Sequence, residues 1–289
     1  MANSVETETP NAGEAAYWTS RSGQKWVDYQ QSLDRLFSEV AELLIREAAP
    51  GSGESVLDLG CGTGATSLAL ASCVAPGGDV VGIDISSLLL GIARDRAAAA
   101  ECANVRFVEA DAQTHAFEPG RFDLLVSRFG SMFFGGPVEA FENMRTGLRS
   151  GGRVYLAAWA PVSNNPWFAI AGEAAMARLG SVPKAEPNTP GPFGFANRDY
   201  ASGILRDAGF ADIAVDAVTV ELVAPDSPSE AAELACNVGQ AVRIIAAKNG
   251  TAEDAAAIAD AVAATLLAYQ TSNGIRIPAM INLISARCP

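Results

Sequence analysis

Between Ser55 and Gly64 the chain reads Ser-Val-Leu-Asp-Leu-Gly-Cys-Gly-Thr-Gly, an apolar run closed by Asp58 and followed by three alternating glycines, Gly60, Gly62 and Gly64. Glycine at every second position lets a ligand lie directly against the backbone, and the helix that follows adds free N–H groups beside it. Gly60, Gly62 and Ala65 satisfy a loose dinucleotide fingerprint. Asp58 weighs against that ligand, because a carboxylate beside the loop repels a pyrophosphate and attracts an ammonium group such as that of an amino-acid tail. Two more carboxylates close apolar runs. Asp84 follows Val80-Val81-Gly82-Ile83, where it can accept both hydroxyls of a ribose. Asp111 follows Val105–Ala110, where it can accept from an adenine amino group. Cys61 reads as a small loop filler whose backbone N–H meets the ligand. His115, the single histidine, reads as a surface loop residue on the adenine side, which leaves no other histidine to serve as a base.

Three such acids converge only if their strands lie side by side in one sheet, with the carboxylates at its C-terminal edge. The pattern supplies that sheet. Short apolar runs predict strands near 55–60, 79–84, 104–109, 121–127 and 152–159, with helices near 64–74, 86–100 and 136–149. Upstream, residues 1–13 read as a loose tail, and 14–49 as a helical segment with Leu33, Leu36, Phe37, Val40, Leu43 and Leu44 on one face. Residues 160–196 are rich in Pro, Gly and Asn with interleaved aromatics and read as a lid-like stretch. A helix near 198–208, a strand near 211–223, helices near 228–247 and 252–271 and a last strand over 278–287 complete the chain.

Composition narrows the function class. Hydrophobic residues make up 49% and charged residues 18%, enough to bury a core, and 33 acidic against 20 basic residues give a net charge of −13. That balance disfavours a nucleic-acid partner and points to a small molecule. Five scattered cysteines without a CxxC pair read as reduced thiols, neither a disulfide framework nor a metal site. The first ten residues lack the features of a signal peptide, and no apolar run is long enough to span a membrane, so the expected location is the cytoplasm.

With these motifs in order, the chain resembles the class I S-adenosylmethionine-dependent methyltransferases from about Ser55 to Trp159, more weakly beyond. Val56–Gly64 resembles the family's glycine motif, Val81–Ser86 its ribose motif and Glu109-Ala110-Asp111-Ala112 its adenine motif. Phe122–Phe129 and Leu148–Arg153 resemble its fourth-strand and fifth-strand motifs. The resemblance implies an α/β fold: a Rossmann-like, seven-stranded, mostly parallel sheet with an antiparallel last strand, in a three-layer αβα sandwich with a helical and loop cap. It divides the chain into an N-terminal tail and helical cap (1–49), a cofactor-binding core (50–160), a substrate-cap insertion (161–197), and the rest of the core (198–289) with a helical insertion over 224–277. The cofactor it implies is S-adenosylmethionine, with S-adenosylhomocysteine as product. The residues expected to hold it are Asp58, Gly60, Cys61, Gly62, Gly64, Asp84, Ile85, Asp111, Ala112 and Ser127, with Trp26 closing over from the N-terminal helices. Asp111 would face adenine N6 and the Ala112 backbone the ring.

Around Ser127–Phe134 and Asn165-Pro166-Trp167 the chain looks like the small-molecule subgroup akin to ubiquinone and menaquinone biosynthesis methyltransferases. The fourth strand ends in Ser127-Arg128-Phe129-Gly130, without the Asn/Asp-Pro-Pro-Tyr type of sequence that related enzymes use on amino groups of bases or glutamine. Aromatic residues Tyr17, Phe133, Trp159 and Trp167 are the expected walls of the acceptor pocket, suited to a flat or apolar molecule. Arg128 is expected either at the cofactor carboxylate or in a local ion pair. The attacking atom (carbon, nitrogen or oxygen) stays open, as does the oligomeric state. Competing readings are an NAD(P)-dependent oxidoreductase and a protein that binds S-adenosylmethionine without turnover.

Overall fold

The central strands, rich in buried Val, Leu and Ile, need cover on both faces, and that requirement organises this molecule. The computed structural model describes residues 10–183 and 186–289. Four short helices open it: α1 (Ala12–Thr19), α2 (Arg21–Asp28), α3 (Gln30–Leu36) and α4 (Ser38–Ala48). Next come β1 (Ser55–Leu59), α5 (Ala65–Val74), β2 (Asp79–Asp84), α6 (Ser87–Ala99), β3 (Val105–Glu109) and β4 (Phe122–Arg128). They are followed by α7 (Pro137–Gly147), β5 (Leu148–Trp159), α8 (Pro166–Leu179), α9 (Arg198–Asp207) and β6 (Ala211–Val223). The chain continues through α10 (Pro228–Val238), α11 (Gln240–Ala247), α12 (Ala252–Leu266), the two-residue β7 (Gln270–Thr271) and β8 (Gly274–Arg287).

The main sheet runs in the order β3-β2-β1-β4-β5-β8-β6, with β7 paired to the start of β8. Neighbours from β3 through β5 are parallel; β8 is antiparallel to both β5 and β6. This is the mixed, helix-flanked sheet expected. Its order also separates two ligand classes, since the usual dinucleotide-binding sheet is 3-2-1-4-5-6 with no antiparallel strand inserted before the last. Val56, Leu57, Leu124, Leu125 and Leu156 are fully buried, and α4, α5 and α6 pack on the strands they belong to.

Several expectations need correction. The N-terminal helical pattern is four helices, because the backbone breaks at Ser20, Tyr29 and Phe37 while keeping one apolar face. The expected loose tail lies outside the described residues up to residue 9; beyond that, Asn11 is buried and α1 has begun by Ala12. The lid-like stretch after Trp159 contains the 14-residue α8, started by Pro166 at a position where proline suits a helix. The expected helix over 228–247 is split at Gly239, which is extended (φ −127°, ψ −154°); a side chain there would meet the Ala235 carbonyl. Helix α12 stops at Leu266, and the last strand begins at Gly274, earlier than its apolar core suggests. Helices α10, α11 and α12 pack on α8, so the two segments rich in non-core sequence form one helical group. Among the described residues no helix is long and apolar enough to cross a membrane.

Candidate active site

The glycine loop is shaped by backbone approach. Gly60, Gly62 and Gly64 take φ of +63°, +54° and +81°, a region that side-chain-bearing residues rarely occupy. A Cβ on Gly60 would lie 2.6 Å from the Cα of Gly130, so two main chains, one after β1 and one after β4, pass in direct contact. Gly130 begins a short 3₁₀ turn, Gly130–Phe133, entered through Phe129 at φ +69°. Arg96 of α6 reaches under the loop, donating to the Thr63 carbonyl at 2.8 Å and pairing with Asp34 of α3 at 2.7 Å.

A narrow cleft of about 70 Å³, partly open to solvent, lies beside this loop. Its floor is Asp58, Gly60, Cys61, Gly62, Thr63 and Thr66; Arg128 and Phe129 form one wall; Trp26, Gln30, Leu33, Asp34 and Phe37 close it from the N-terminal helices. Asp58 is only 1% exposed and accepts from Ser67 Oγ at 2.6 Å. Burial pushes its carboxyl up to about 7, against the Ser67 hydrogen bond and the nearby Arg128 charge, with Asp84 adding to the rise. Arg128 is half-buried, and its one hydrogen bond, to the Phe37 carbonyl, is long at 3.5 Å. Burial lowers its guanidinium from the usual value while Asp34 and Asp58 oppose the change. The cleft thus places a carboxyl and a guanidinium beside the glycines, the carboxyl taking its negative charge as pH rises through about 7.

Asp84 turns toward the loop, accepting from the Gly62 N–H at 2.8 Å and the Ser86 N–H at 2.9 Å. Burial raises its carboxyl, offset by N–H bonds from Ser86, Gly62 and Ile85. Asp111 accepts from the Gln113 N–H at 2.9 Å, and Ala112 beside it is buried. Burial, Asp84 and Asp58 push the Cys61 thiol well above its usual range, which leaves it protonated and a poor nucleophile. His115 lies apart from this cleft, packed edge-on to Phe117 in a separate hollow beneath β3 and β4.

The structure brings Asp58, Gly60, Cys61, Gly62 and Trp26 to the cleft, with Gly64, Asp84 and Ile85 at its loop. Ser127 is different: it is fully buried, and its hydroxyl donates to the Leu59 carbonyl at 2.8 Å, so it ties β4 to β1. The four expected acceptor residues do not form one wall. Trp159 is 3% exposed, stacked under Phe129 at 4.1 Å, and Trp167 is buried on α8. Phe133 and Tyr17 both meet Trp18 edge-on, and the Arg243 guanidinium lies over the Tyr17 ring at 5.4 Å. Sequence reasoning passed over Gln30, Asp34, Phe37, Phe129 and Gly130. Gln30 and Asp34 stand four apart on α3, a spacing that puts both on one face, which the apolar stripe beside them concealed.

Residues 50–181 match the model of a family described as a methyltransferase domain. A demethylmenaquinone methyltransferase of Staphylococcus aureus is 33% identical over 111 residues, 38% of this chain and 45% of that relative, so the match spans less than half of its length. Among solved structures, a phosphoethanolamine N-methyltransferase 2 of Haemonchus contortus, in complex with S-adenosylhomocysteine, superposes with a TM-score of 0.58 at 18% identity, covering 96% of this chain and 60% of that one. The YcgJ protein of Bacillus subtilis gives 0.53 at 17% identity over 86% and 97%. The [4+2]-cyclase SpnF gives 0.53 at 21% over 86% and 80%. At these identities the structural likenesses establish the fold.

Proposed function

We propose that this protein transfers a methyl group from S-adenosylmethionine to a small-molecule acceptor, releasing S-adenosylhomocysteine; the match of residues 50–181 to a family described as a methyltransferase domain supports the reading. One observation carries the reading: Asp58 and Arg128 place a carboxyl and a guanidinium in a single cleft beside the glycine loop, a receptor matched to a zwitterionic amino-acid tail. In this reading Asp58 attracts the ammonium and Arg128 the carboxylate, while Gly60 and Cys61 offer main chain without side-chain obstruction. The Asp84 carboxylate, fixed by three N–H groups, accepts the ribose hydroxyls with its remaining lone pairs. Asp111 and the Ala112 backbone take the adenine.

When bound, the sulfonium supplies an electrophilic methyl group, so the task left to the chain is alignment for an in-line displacement. The residues lining the cleft include no histidine or lysine, and Asp34 is committed to Arg96. With Asp58 assigned to the ammonium, this reading favours an acceptor whose carbon, nitrogen or oxygen is already nucleophilic when bound. Trp26, Phe37 and Phe129 supply the aromatic side of the cleft and suit a flat or apolar acceptor. The activities named for the Staphylococcus and Haemonchus relatives support an acceptor of small-molecule size.

Because the same fold occurs in a protein described as a [4+2]-cyclase, the decisive test reads transfer as well as binding. Purified protein is incubated with methyl-labelled S-adenosylmethionine and fractionated metabolites, and label is sought in organic products. Label leaving the cofactor for a small molecule is the expected result. Calorimetry that shows no S-adenosylhomocysteine binding at millimolar ligand overturns the proposal, and binding without transfer to any fraction shifts it to a non-catalytic binder.

A further inference from the structure

The adenine end of the cleft already holds a side chain of the protein itself. Asn11 is 5% exposed, and its amide nitrogen lies 3.0 Å from both carboxylate oxygens of Asp111 and 3.0 Å from Gln113 Oε1. Its amide oxygen accepts from the Gly135 N–H at 2.8 Å. An exocyclic amino group on a planar conjugated system and a carboxamide –NH₂ are the same kind of donor, with two N–H bonds in one plane. The group that Asp111 would offer to adenine is thus engaged by a chemical equivalent of adenine's own amino group. Consistent with this, the cleft beside the glycines ends at their loop, and its lining includes neither Asp111 nor Ala112.

Helices α1 and α2 hold Asn11 in place. The Trp18 carbonyl at the end of α1 accepts from Ser86 Oγ at 2.9 Å, next to the ribose carboxylate Asp84. Gly23 makes that approach possible, since a Cβ there would overlap the Trp18 carbonyl. The segment therefore touches the protein beside both acids assigned to the nucleoside, at Ser86 and at Asp111. On its outer side it is anchored to the helical group: Lys25 donates to Asn237 at 2.9 Å and Tyr29 to Glu233 at 2.7 Å.

We propose that residues 10–20 form a latch in which Asn11 competes with the adenine amino group for Asp111, so that cofactor entry requires its displacement. The proposal rests on the S-adenosylmethionine reading of the cleft. Occupied by Asn11, the pocket satisfies its partly buried carboxylate without a ligand, which an open pocket would leave to water. Displacement makes a main-chain signal as well, because the Gly135 N–H loses its acceptor.

The test uses the full chain, S-adenosylhomocysteine, and the variants Asn11→Ala and Asn11→Asp, the second placing like charge against Asp111. Stopped-flow tryptophan fluorescence, with Trp18 and Trp26 in the N-terminal helices, is expected to show faster association for both variants and at least threefold tighter binding for Asn11→Ala. Hydrogen exchange on the wild type is expected to show the Gly135 amide losing protection when ligand is added. Unchanged or weaker binding by Asn11→Ala, or added protection at Gly135, overturns the latch while leaving the cofactor reading intact. Failure of wild type and variants alike to bind overturns both.

Discussion

At the scale of single residues, Asp58 and Asp84 differ in a way that pH exposes. A buried aspartate whose carboxyl titrates near 7 binds a proton that the unfolded chain, with its ordinary value near 3.8, has already released. The native state is therefore the more protonated between those limits, and this group's contribution to stability falls as pH rises from about 4 to 7. Ligand binding responds in the opposite sense, since an ammonium prefers the ionised carboxylate. Affinity for S-adenosylhomocysteine is expected to rise toward pH 7, level off, and be about tenfold weaker at pH 6 than at its best, with Asp58→Asn abolishing the dependence; calorimetry across pH measures both. For Asp84, Asp84→Ala is expected to weaken the same ligand at least tenfold, about 1.4 kcal/mol. The glycines and strand-end acids were legible because each combines an unusual residue type with a fixed place after an apolar run. Asn11 was not, because a lone asparagine carries no periodic signal and its meaning depends on Asp111, one hundred residues away.

Elements show where the backbone, not the side chains, sets the limits. The contact between the turns after β1 and β4 leaves Gly60 no room, whereas Gly62 has a positive φ but nothing within 4 Å of an added Cβ. Gly62→Ala is therefore expected to cost about 1 kcal/mol, the strain of a left-handed alanine. Gly60→Ala adds a main-chain collision and is expected to cost more than twice that; denaturant unfolding of the pair separates the two causes. The strand positions from β1 to β4 could be read from sequence since buried parallel strands are uninterrupted apolar runs. The break at Gly239 could not, because Leu234, Val238, Val242 and Ile245 read as one continuous face, whereas past the break Val242 is exposed and Ala241 and Ile244 are buried. Helix α8 was hidden by the Pro and Asn at its start, residues that open a helix as readily as they make a loop.

Across the whole molecule, the first and the last quarters of the chain meet where α2 contacts α10. Helices α1 and α2 pack on α6, and polar contacts from the end of α2 join them to α10 of the helical group. Such exposed contacts contribute little to global stability. The double variant Lys25→Ala, Tyr29→Phe is expected to shift the thermal midpoint by only a few degrees while raising hydrogen exchange in α1 and α2 selectively; a uniform rise across the sheet would contradict this arrangement. The sequence showed that non-core segments surround the cofactor motifs. It did not show that segments from three places in the chain assemble into one cover, since their mutual contacts leave no mark on local composition.

The place of β8 has a consequence for how the protein is made. Strand β6 pairs along nearly its full length with β8, and β8 alone joins it to β5. On the ribosome, β6 emerges with no neighbour to bond to and waits while α10, α11 and α12 are synthesised. Only when residues 274–287 leave the exit tunnel can the final hairpin close and the sheet be completed in one late, long-range step. A nascent chain stalled before Gly274 would carry a long unpaired strand edge, the form in which this protein is most exposed to capture by chaperones and to aggregation.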